Sequence, residues 1–251
     1  MKKQTLTPIH AMKKNTLVLA SSLLFLIPAT GSAATLAHYP VSAAPPLNSS
    51  TTDPNITASA IGNITTPANN GNAAVMYSSS QNIYYNFLSQ LDKDQAISAN
   101  YYTAFTLTPD EGFMVSYSQL SFNYGGSFGV TGASVDANFF VRSSLDGFTS
   151  DLTEFTYTIP SLAGGGNVPE LMELELSSLS QFQDVATPVT FRIYAFVDNF
   201  MTPNNFNSSA RPRIDNILFE GSVNAIPEPT SAILLLTALT GMTVFSSHRR
   251  R

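Results

Sequence analysis

Cysteine and histidine, on which most nucleophilic and zinc chemistry depends, are scarce in this sequence. The chain has no cysteine and three histidines, His10, His38 and His248. Without cysteine there is no thiolate nucleophile, no thiolate metal site and no disulfide. Only His38 lies away from the two ends, in a segment that we expect to be frayed, so a Ser-His-Asp triad or a multi-histidine zinc site has nothing to be built from.

Pairs of carboxylates are the remaining route to hydrolysis, because glycoside hydrolysis needs only two acids at a suitable separation. Asp110 and Glu111 lie in a Pro-Asp-Glu-Gly turn sequence. Glu173 and Glu175 alternate with leucines, so they share one strand face opposite an apolar face. Turn and solvent-facing positions explain both pairs. We therefore predict that the chain is not an enzyme, and a glycan-active enzyme is the least favoured alternative.

The charge of the middle segment excludes some partners. Residues 35–226 hold sixteen acidic residues against five basic ones, Lys93, Arg142, Arg192, Arg211 and Arg213, so their net charge is −11. Such a segment repels phosphate backbones, which argues against nucleic-acid binding. It also disfavours binding to an anionic membrane surface.

The first 34 residues have the order of a secretory signal. A basic start precedes the apolar run at residues 17–27, and small residues lead to Ala33 and Ala34. This order predicts cleavage by signal peptidase after Ala33 or Ala34. Met12 offers an alternative start that gives a more compact signal. The apolar run of about eleven residues is short for an anchor that must span about 30 Å of hydrocarbon.

The last segment, residues 226–251, contains three parts in a fixed order. Pro227, Glu228 and Pro229 precede eighteen uncharged residues, and Arg249, Arg250 and Arg251 end the chain. The uncharged stretch is long enough for one membrane-spanning helix. The terminal arginines favour the cytoplasmic side, which places the rest of the chain outside.

This order of Pro-Glu-Pro, apolar helix and arginine cluster resembles the PEP-CTERM sorting signal. The resemblance implies that an exosortase-like membrane protease recognises the tail and cleaves near Pro227–Pro229. It further implies that the product reaches the cell surface or extracellular matrix, often alongside exopolysaccharide. An ordinary single-span anchor is the alternative, and it would also hold the domain outside the inner membrane.

Alternating apolar and polar residues between the two ends predict an all-β domain. Residues 73–225 should form an antiparallel two-sheet sandwich of jelly-roll type. The preceding residues 35–72 read as a polar segment with one edge strand at 56–61. The predicted strands of the domain are 101–108, 113–124, 134–142, 155–159, 171–176, 189–197 and 213–223, the second of them ending at a Gly-Gly pair.

Four phrases in this domain are similar to phrases that recur, in this order, in PEP-CTERM proteins: residues 102–112, 141–148, 189–194 and 213–217. The last phrase also resembles carbohydrate-binding jelly rolls and galactose-binding-like domains. That second resemblance implies a structural Ca²⁺ with Asp215 as one ligand. The alternative is that Asp215 and Asn216 hydrogen-bond a neighbouring loop. No other cofactor is expected.

The leading hypothesis is an exported, non-enzymatic protein of the bacterial surface or extracellular matrix, associated with exopolysaccharide. The alternative is a carbohydrate-binding module, which an exposed row of tyrosines would favour. Tyrosines pack into sheets more often than they bind sugars, so they do not by themselves define a site. The candidates are Tyr84, Tyr85, Tyr101, Tyr102, Tyr124 and Tyr194.

Overall fold

A computed structural model describes residues 33–41, 47–63, 75–78, 82–87, 90–129, 134–160, 168–199 and 210–226. Most of the predicted signal segment and the whole stretch from Pro227 onward lie outside these residues. The predicted signal helix and membrane-spanning helix therefore stay predictions. No helix in the described ranges is both long and apolar enough to cross a membrane.

The described residues form twelve β-strands, one α-helix and two 3₁₀ turns. The strands are β1 Ala34–Tyr39, β2 Thr51–Thr52, β3 Ile56–Ala58, β4 Val75–Ser78, β5 Asn82–Tyr85, β6 Tyr102–Pro109, β7 Phe113–Phe128, β8 Val135–Ser143, β9 Thr153–Ile159, β10 Glu170–Glu175, β11 Val189–Asp198 and β12 Ala210–Ala225. Helix α1 spans Lys93–Ser98, and the 3₁₀ turns span Ser144–Asp146 and Ser180–Phe182.

The strands form two antiparallel sheets that pack face to face. The larger sheet has the order β10-β7-β12-β1-β2, with β5 also paired to β12 and β4 paired to β5. The smaller sheet has the order β3-β6-β11-β8-β9. The predicted all-β, antiparallel two-sheet sandwich is thus confirmed.

Alternation along the strands builds the core between the sheets. On β11, the five residues predicted to share one face are all fully buried: Val189, Phe191, Ile193, Ala195 and Val197. Aromatic contacts then join the sheets across the core. Tyr117 of β7 packs on Phe191 with ring centres 5.5 Å apart, and Phe105 of β6 packs on Phe219 of β12 at 5.9 Å.

The predicted end of a strand at Gly125 and Gly126 is wrong, because β7 runs through both glycines to Phe128. A Cβ atom on Gly126 would lie 2.3 Å from the Ile159 side chain and 3.1 Å from the main-chain oxygen of Arg211. Glycine here permits close packing inside a strand and does not mark a turn.

Residues 35–72, predicted as a polar segment with one edge strand, contribute the three strands β1, β2 and β3 to the two sheets. Strand β1 lies between β12 and β2 in the larger sheet and buries Leu36, Ala37 and Tyr39. Its alternation is interrupted by a bulge between Thr35 and Ala37, which hides the strand from a period-two reading. The edge strand expected at 56–61 is present as β3, Ile56–Ala58, and its strand partner is β6.

Candidate functional site

The outer face of the smaller sheet gathers most of the basic and aromatic side chains that lie outside the main core. Cross-strand pairing places Arg192 of β11 between Ala104 of β6 and Arg142 of β8. The next row on the same face joins Tyr102, Tyr194 and Phe140. Antiparallel register therefore brings side chains from three distant sequence segments into contact.

Arg192 lies between two aromatic rings on this face. Its guanidinium carbon is 4.3 Å from the ring centre of Tyr102 and 3.6 Å from that of Phe148. Both distances are within the range of cation–π attraction. We call Tyr102, Phe148 and Arg192 the arginine stack. All three side chains are partly exposed.

The donors of Arg192 are only partly used. Its Nη1 donates to the Tyr194 hydroxyl at 3.3 Å. Its Nε is buried and has no hydrogen-bond partner in the part of the chain that the structure describes. A guanidinium carries five N–H donors, so the terminal Nη groups retain hydrogen-bonding capacity for a ligand, whereas the buried Nε is out of a ligand's reach.

Phe148 is held over Arg192 by a tight loop after β8. The φ angles of Gly147 and Phe148 are +70° and +63°, a left-handed conformation that is rare for a bulky residue. The Phe148 amide donates to the carbonyl of Ser143 at 2.9 Å, and Arg142 Nη1 donates to the Phe148 carbonyl at 3.0 Å. Strain of this kind persists where the surroundings fix it, and it is common at binding sites.

Helix α1 closes the neighbouring part of the face. Asp92 caps the helix through a reciprocal pair of hydrogen bonds with Gln95. The helix buries Ala96 against Phe140, Tyr194 and Phe196. The capping-box spacing was present in the sequence, but the short helix has too little periodicity to be recognised.

An ion-pair network fixes α1 to the sheet. Lys93 pairs with Asp151 and with Glu154, and Arg142 Nε donates to Asp151 Oδ1 at 2.6 Å. Burial lowers the pKa of Lys93, but the hydrogen bonds and charges of Asp151 and Glu154 raise it more, so its pKa lies above the ordinary value.

Carboxylates do not neutralise Arg192. All sixteen acids of residues 35–226 lie in the described part of the chain. There, ion pairs are formed by Lys93 and Arg142, and none is formed by Arg192, Arg211 or Arg213. The arginine stack is thus an unpaired positive charge on an acidic domain.

Three of the four phrases that resemble PEP-CTERM proteins meet at this face. Residues 102–112 supply Tyr102, residues 141–148 supply Arg142 and Phe148, and residues 189–194 supply Arg192. The sequence analysis singled out these phrases but did not identify Arg192 as a site residue. Only the register of the strands shows that the three phrases lie side by side.

The predicted tyrosine candidates do not form an exposed row. Tyr85 is fully buried and Tyr194 is 2% exposed, whereas Tyr84, Tyr101, Tyr102 and Tyr124 are partly exposed. They are also spread over different surfaces. Tyr84 lies on β5 of the larger sheet, Tyr102 lies on β6 of the smaller one, and Tyr101 stacks on Phe87 at 4.6 Å.

Asp215 lies at a bulge of β12 in a network of neutral hydrogen bonds. Asn216 has a φ of +50°, and its amide donates to Asp215 Oδ1 at 2.6 Å. The Asn216 side chain contacts His38 Nε2 at 2.7 Å and donates to Asn123 at 3.1 Å. His38 is therefore an ordered residue of β1, which corrects the expectation of fraying.

The carboxyl group of Asp215 at this bulge binds its proton more tightly than an ordinary aspartate does. Burial raises its pKa to about 6, although the Asn216 hydrogen bond and the His38 charge act in the opposite direction. In the residue ranges described above, no group of three or more His, Asp or Glu side chains could hold a metal ion. The Ca²⁺ ligand role of Asp215 stays a prediction.

The carboxylate pairs considered for hydrolysis lie where the sequence placed them. Asp110 and Glu111 are exposed between β6 and β7. Glu173 and Glu175 are exposed on β10, opposite buried Leu174.

A further pair of acids, Asp136 and Asp198, escaped the sequence analysis because it depends on the register of β8 against β11. Both are hydrogen-bonded to neighbouring side chains. Asn199 Nδ2 donates to Asp136 at 2.6 Å, and Asn138 Nδ2 donates to Asp198 at 3.0 Å.

The predicted processing sites lie at or beyond the limits of the described sandwich. Ala33 precedes β1, and Ala34 is its first residue. The predicted sorting motif at residues 227–229 and the basic cluster at 249–251 lie outside the described residues.

Comparison with known proteins gives low-level likenesses to solved structures. No family model matches the sequence, and no curated protein matches it. A carbohydrate-binding module specific for non-crystalline cellulose matches with a TM-score of 0.30 and 12% identity over 59% of this chain and 79% of that one. A xylan-binding module matches with a TM-score of 0.31 and 11% identity over 63% and 88% of the two chains.

A third likeness is to the cleaved adhesin domain of Lys-gingipain from Porphyromonas gingivalis. Its TM-score is 0.32, with 14% identity over 78% of this chain and all of that one. At these TM-scores and identities, none of the three likenesses assigns a fold family or a ligand to this chain.

Proposed function

We propose that this chain is an exported, non-enzymatic domain that binds polysaccharide at the bacterial surface through the arginine stack. The proposal rests on Arg192, which lies between the rings of Tyr102 and Phe148 and has no carboxylate partner, although the domain has a net charge of −11. Ring faces can pack on the C–H groups of a sugar, and guanidinium N–H groups can donate to its oxygens. A partly exposed, fixed set of such groups is suited to this ligand class.

Preorganisation supports the same function. The loop that carries Phe148 is fixed by main-chain hydrogen bonds and by Arg142, and α1 is fixed by the Asp151 ion pairs. A rigid surface loses little conformational entropy when a flexible polymer binds to it.

Binding tests this proposal directly. The full chain, solubilised in detergent, would be titrated calorimetrically with two neutral polymers, a soluble cellulose ether and xylan. We expect at least one of these polymers to bind, and Arg192→Gln and Tyr102→Ala to weaken that binding at least tenfold. Glu111→Gln, in an exposed turn away from the stack, serves as the control. Absence of binding to both polymers, or binding unaffected by both variants, would contradict the proposal.

Surface display by the sorting tail is the second part of the proposal. Strand β1 runs antiparallel to β12 with Ala34 opposite Gly221, and the amide of Ile226 donates to the Gly112 carbonyl at 2.8 Å. The first and last described strands therefore enter and leave at one end of the sandwich, next to the predicted cleavage sites. This supports a domain held at the membrane by that end.

Intact mass and fractionation of the protein in its own host test the sorting. We expect a mature form that begins at Ala34 or Thr35, ends near Pro227 and is free of the inner membrane. A form that still carries Arg251 and remains in the inner membrane would show an ordinary anchor and remove the exosortase from the proposal.

A jelly-roll connection of the strands completes the proposal. Successive strands lie in different sheets after β2, β3, β5, β6, β7, β9, β10 and β11. Repeated passage between two antiparallel sheets is the pattern on which jelly rolls are built.

A further inference from the structure

The outer face of the larger sheet carries a second group of unpaired arginines. Arg213 of β12 stands directly opposite Tyr84 of β5, and Arg211 lies two residues earlier on the same strand face. The guanidinium carbons of Arg211 and Arg213 are each 5.4 Å from the ring centre of Tyr84. We call these three residues the Tyr84 cluster.

Arg213 brings a buried positive charge to this cluster. Its side chain is 5% exposed, and it donates to Asn82 Oδ1 at 2.6 Å and to Ser127 Oγ at 3.1 Å. Both partners are neutral. Burying a charge without a countercharge is costly, so an arginine kept this way is a candidate for binding an external anion.

Arg211 supplies the exposed donor. It is exposed on β12, and its guanidinium makes no hydrogen bond or ion pair within the described residues. Its contact there is the cation–π contact with the Tyr84 ring. On β7, the residue opposite Arg213 is Gly125, which is itself buried. The part of the cluster that a ligand can reach is therefore the Arg211 guanidinium and the partly exposed Tyr84 ring.

The chain's own carboxylates do not fill this position. Asp215 follows on the same face of β12, but its Oδ1 accepts from the Asn216 amide, and the Arg213 donors turn to Asn82 and Ser127. All sixteen acids of residues 35–226 are in the described ranges, and none forms an ion pair with Arg211 or Arg213.

We propose that the Tyr84 cluster binds the carboxylate of an acidic sugar residue in an anionic polysaccharide. The carboxylate accepts hydrogen bonds from Arg211 in the field of Arg213, and the sugar ring packs beside Tyr84. Guanidinium groups match carboxylates in both charge and geometry. This site is on the opposite sheet from the arginine stack and does not require that stack to bind a ligand.

Calorimetric titration of the detergent-solubilised full chain with trigalacturonate tests the site, with maltotriose as the neutral control. We expect trigalacturonate to bind more tightly than maltotriose. Arg211→Gln and Tyr84→Ala should each raise the dissociation constant at least tenfold, and Arg211→Lys should raise it less. Arg192→Gln, on the other sheet, should change it less than twofold. Thermal unfolding of each variant checks that the fold is retained; Arg213 is left unchanged because it is buried.

Three results would overturn the proposal. The first is no binding of trigalacturonate, or binding that Arg211→Gln and Tyr84→Ala leave unchanged. The second is binding lost only in Arg192→Gln, which would place the ligand at the arginine stack and leave the proposed function intact. The third is displacement by acetate at equal concentration, which would show an anion site without sugar recognition.

Discussion

The hydroxyl of Tyr85 in the larger sheet donates to the main-chain oxygen of Ile193 in the smaller sheet, at 2.7 Å through the core. It also lies 3.0 Å from Thr103 Oγ1. Burial raises the pKa of Tyr85 far above its ordinary value, so the phenol keeps its proton and remains a donor. One side chain thus links two strands that are 108 residues apart.

Removing this hydroxyl should destabilise the domain. Tyr85→Phe removes the buried hydrogen bond to the Ile193 carbonyl and the contact with the Thr103 hydroxyl, which should lower the free energy of unfolding by about 1–3 kcal/mol. Urea unfolding measures the change. The matched control is Tyr84→Phe at the preceding residue, whose ring faces outward. It should change the free energy of unfolding by less than about 0.5 kcal/mol. Equal effects of the two variants would contradict the assigned bond.

Gly221 should not tolerate a side chain. A Cβ atom there would lie 2.3 Å from the main-chain oxygen of Ser116 and 2.9 Å from Leu36 Cδ1. Because a strand backbone must move to relieve the contact, Gly221→Ala should cost about 1–3 kcal/mol or more in the free energy of unfolding.

Gly129→Ala is the control for this variant, since nothing lies within 4 Å of the added methyl group. It should leave the unfolding midpoint nearly unchanged. A Gly221→Ala protein as stable as Gly129→Ala would show that β12 does not approach β7 and β1 as closely as described.

Asp215 should make stability depend on pH in the acidic range. Its folded pKa of about 6 lies above the ordinary value of 3.8, so the native state binds the extra proton between these values. The resulting stabilisation is complete below about pH 4 and is lost as the pH rises through about 6. After allowance for partial exposure, we expect a contribution of about 1–2 kcal/mol.

Asp215→Asn isolates this contribution. Asparagine can still accept from the Asn216 amide but does not titrate, so the variant should be more stable than the parent at pH 7.5 and no more stable at pH 4. Urea unfolding at the two pH values gives the comparison. A constant difference between the two proteins would contradict the raised pKa.

Asp151 should hold α1 on the smaller sheet. Asp151→Asn removes the carboxylate that Arg142 and Lys93 share and leaves Lys93 with Glu154 alone, and we expect a loss of about 1–2 kcal/mol because the pairs are only partly exposed. Amide hydrogen exchange in α1 should accelerate more than exchange in β11. Glu111→Gln, which removes an exposed turn charge, should leave both rates unchanged.

Much of the sandwich was predictable because each long strand carries its own alternation. The strands predicted at 189–197 and 171–176 appear as β11 and β10 with the predicted faces buried. Short or bulged strands were not predictable: β1 is interrupted by a bulge, and β5 has four residues, of which Tyr84 and Tyr85 look alike in sequence. Only the register assigns one tyrosine to the surface and the other to the core.

The sequence by itself determined the fold class, the absence of thiol chemistry and the scarcity of histidine, because these follow from composition and local period. The tertiary structure decided which side chains meet. Arg192 meets Tyr102 and Phe148, and Arg213 meets Tyr84, only through the pairing of strands distant in sequence. Pairing register depends on the whole core, since a shift of one residue would exchange the two faces of a strand. Local sequence does not contain that information.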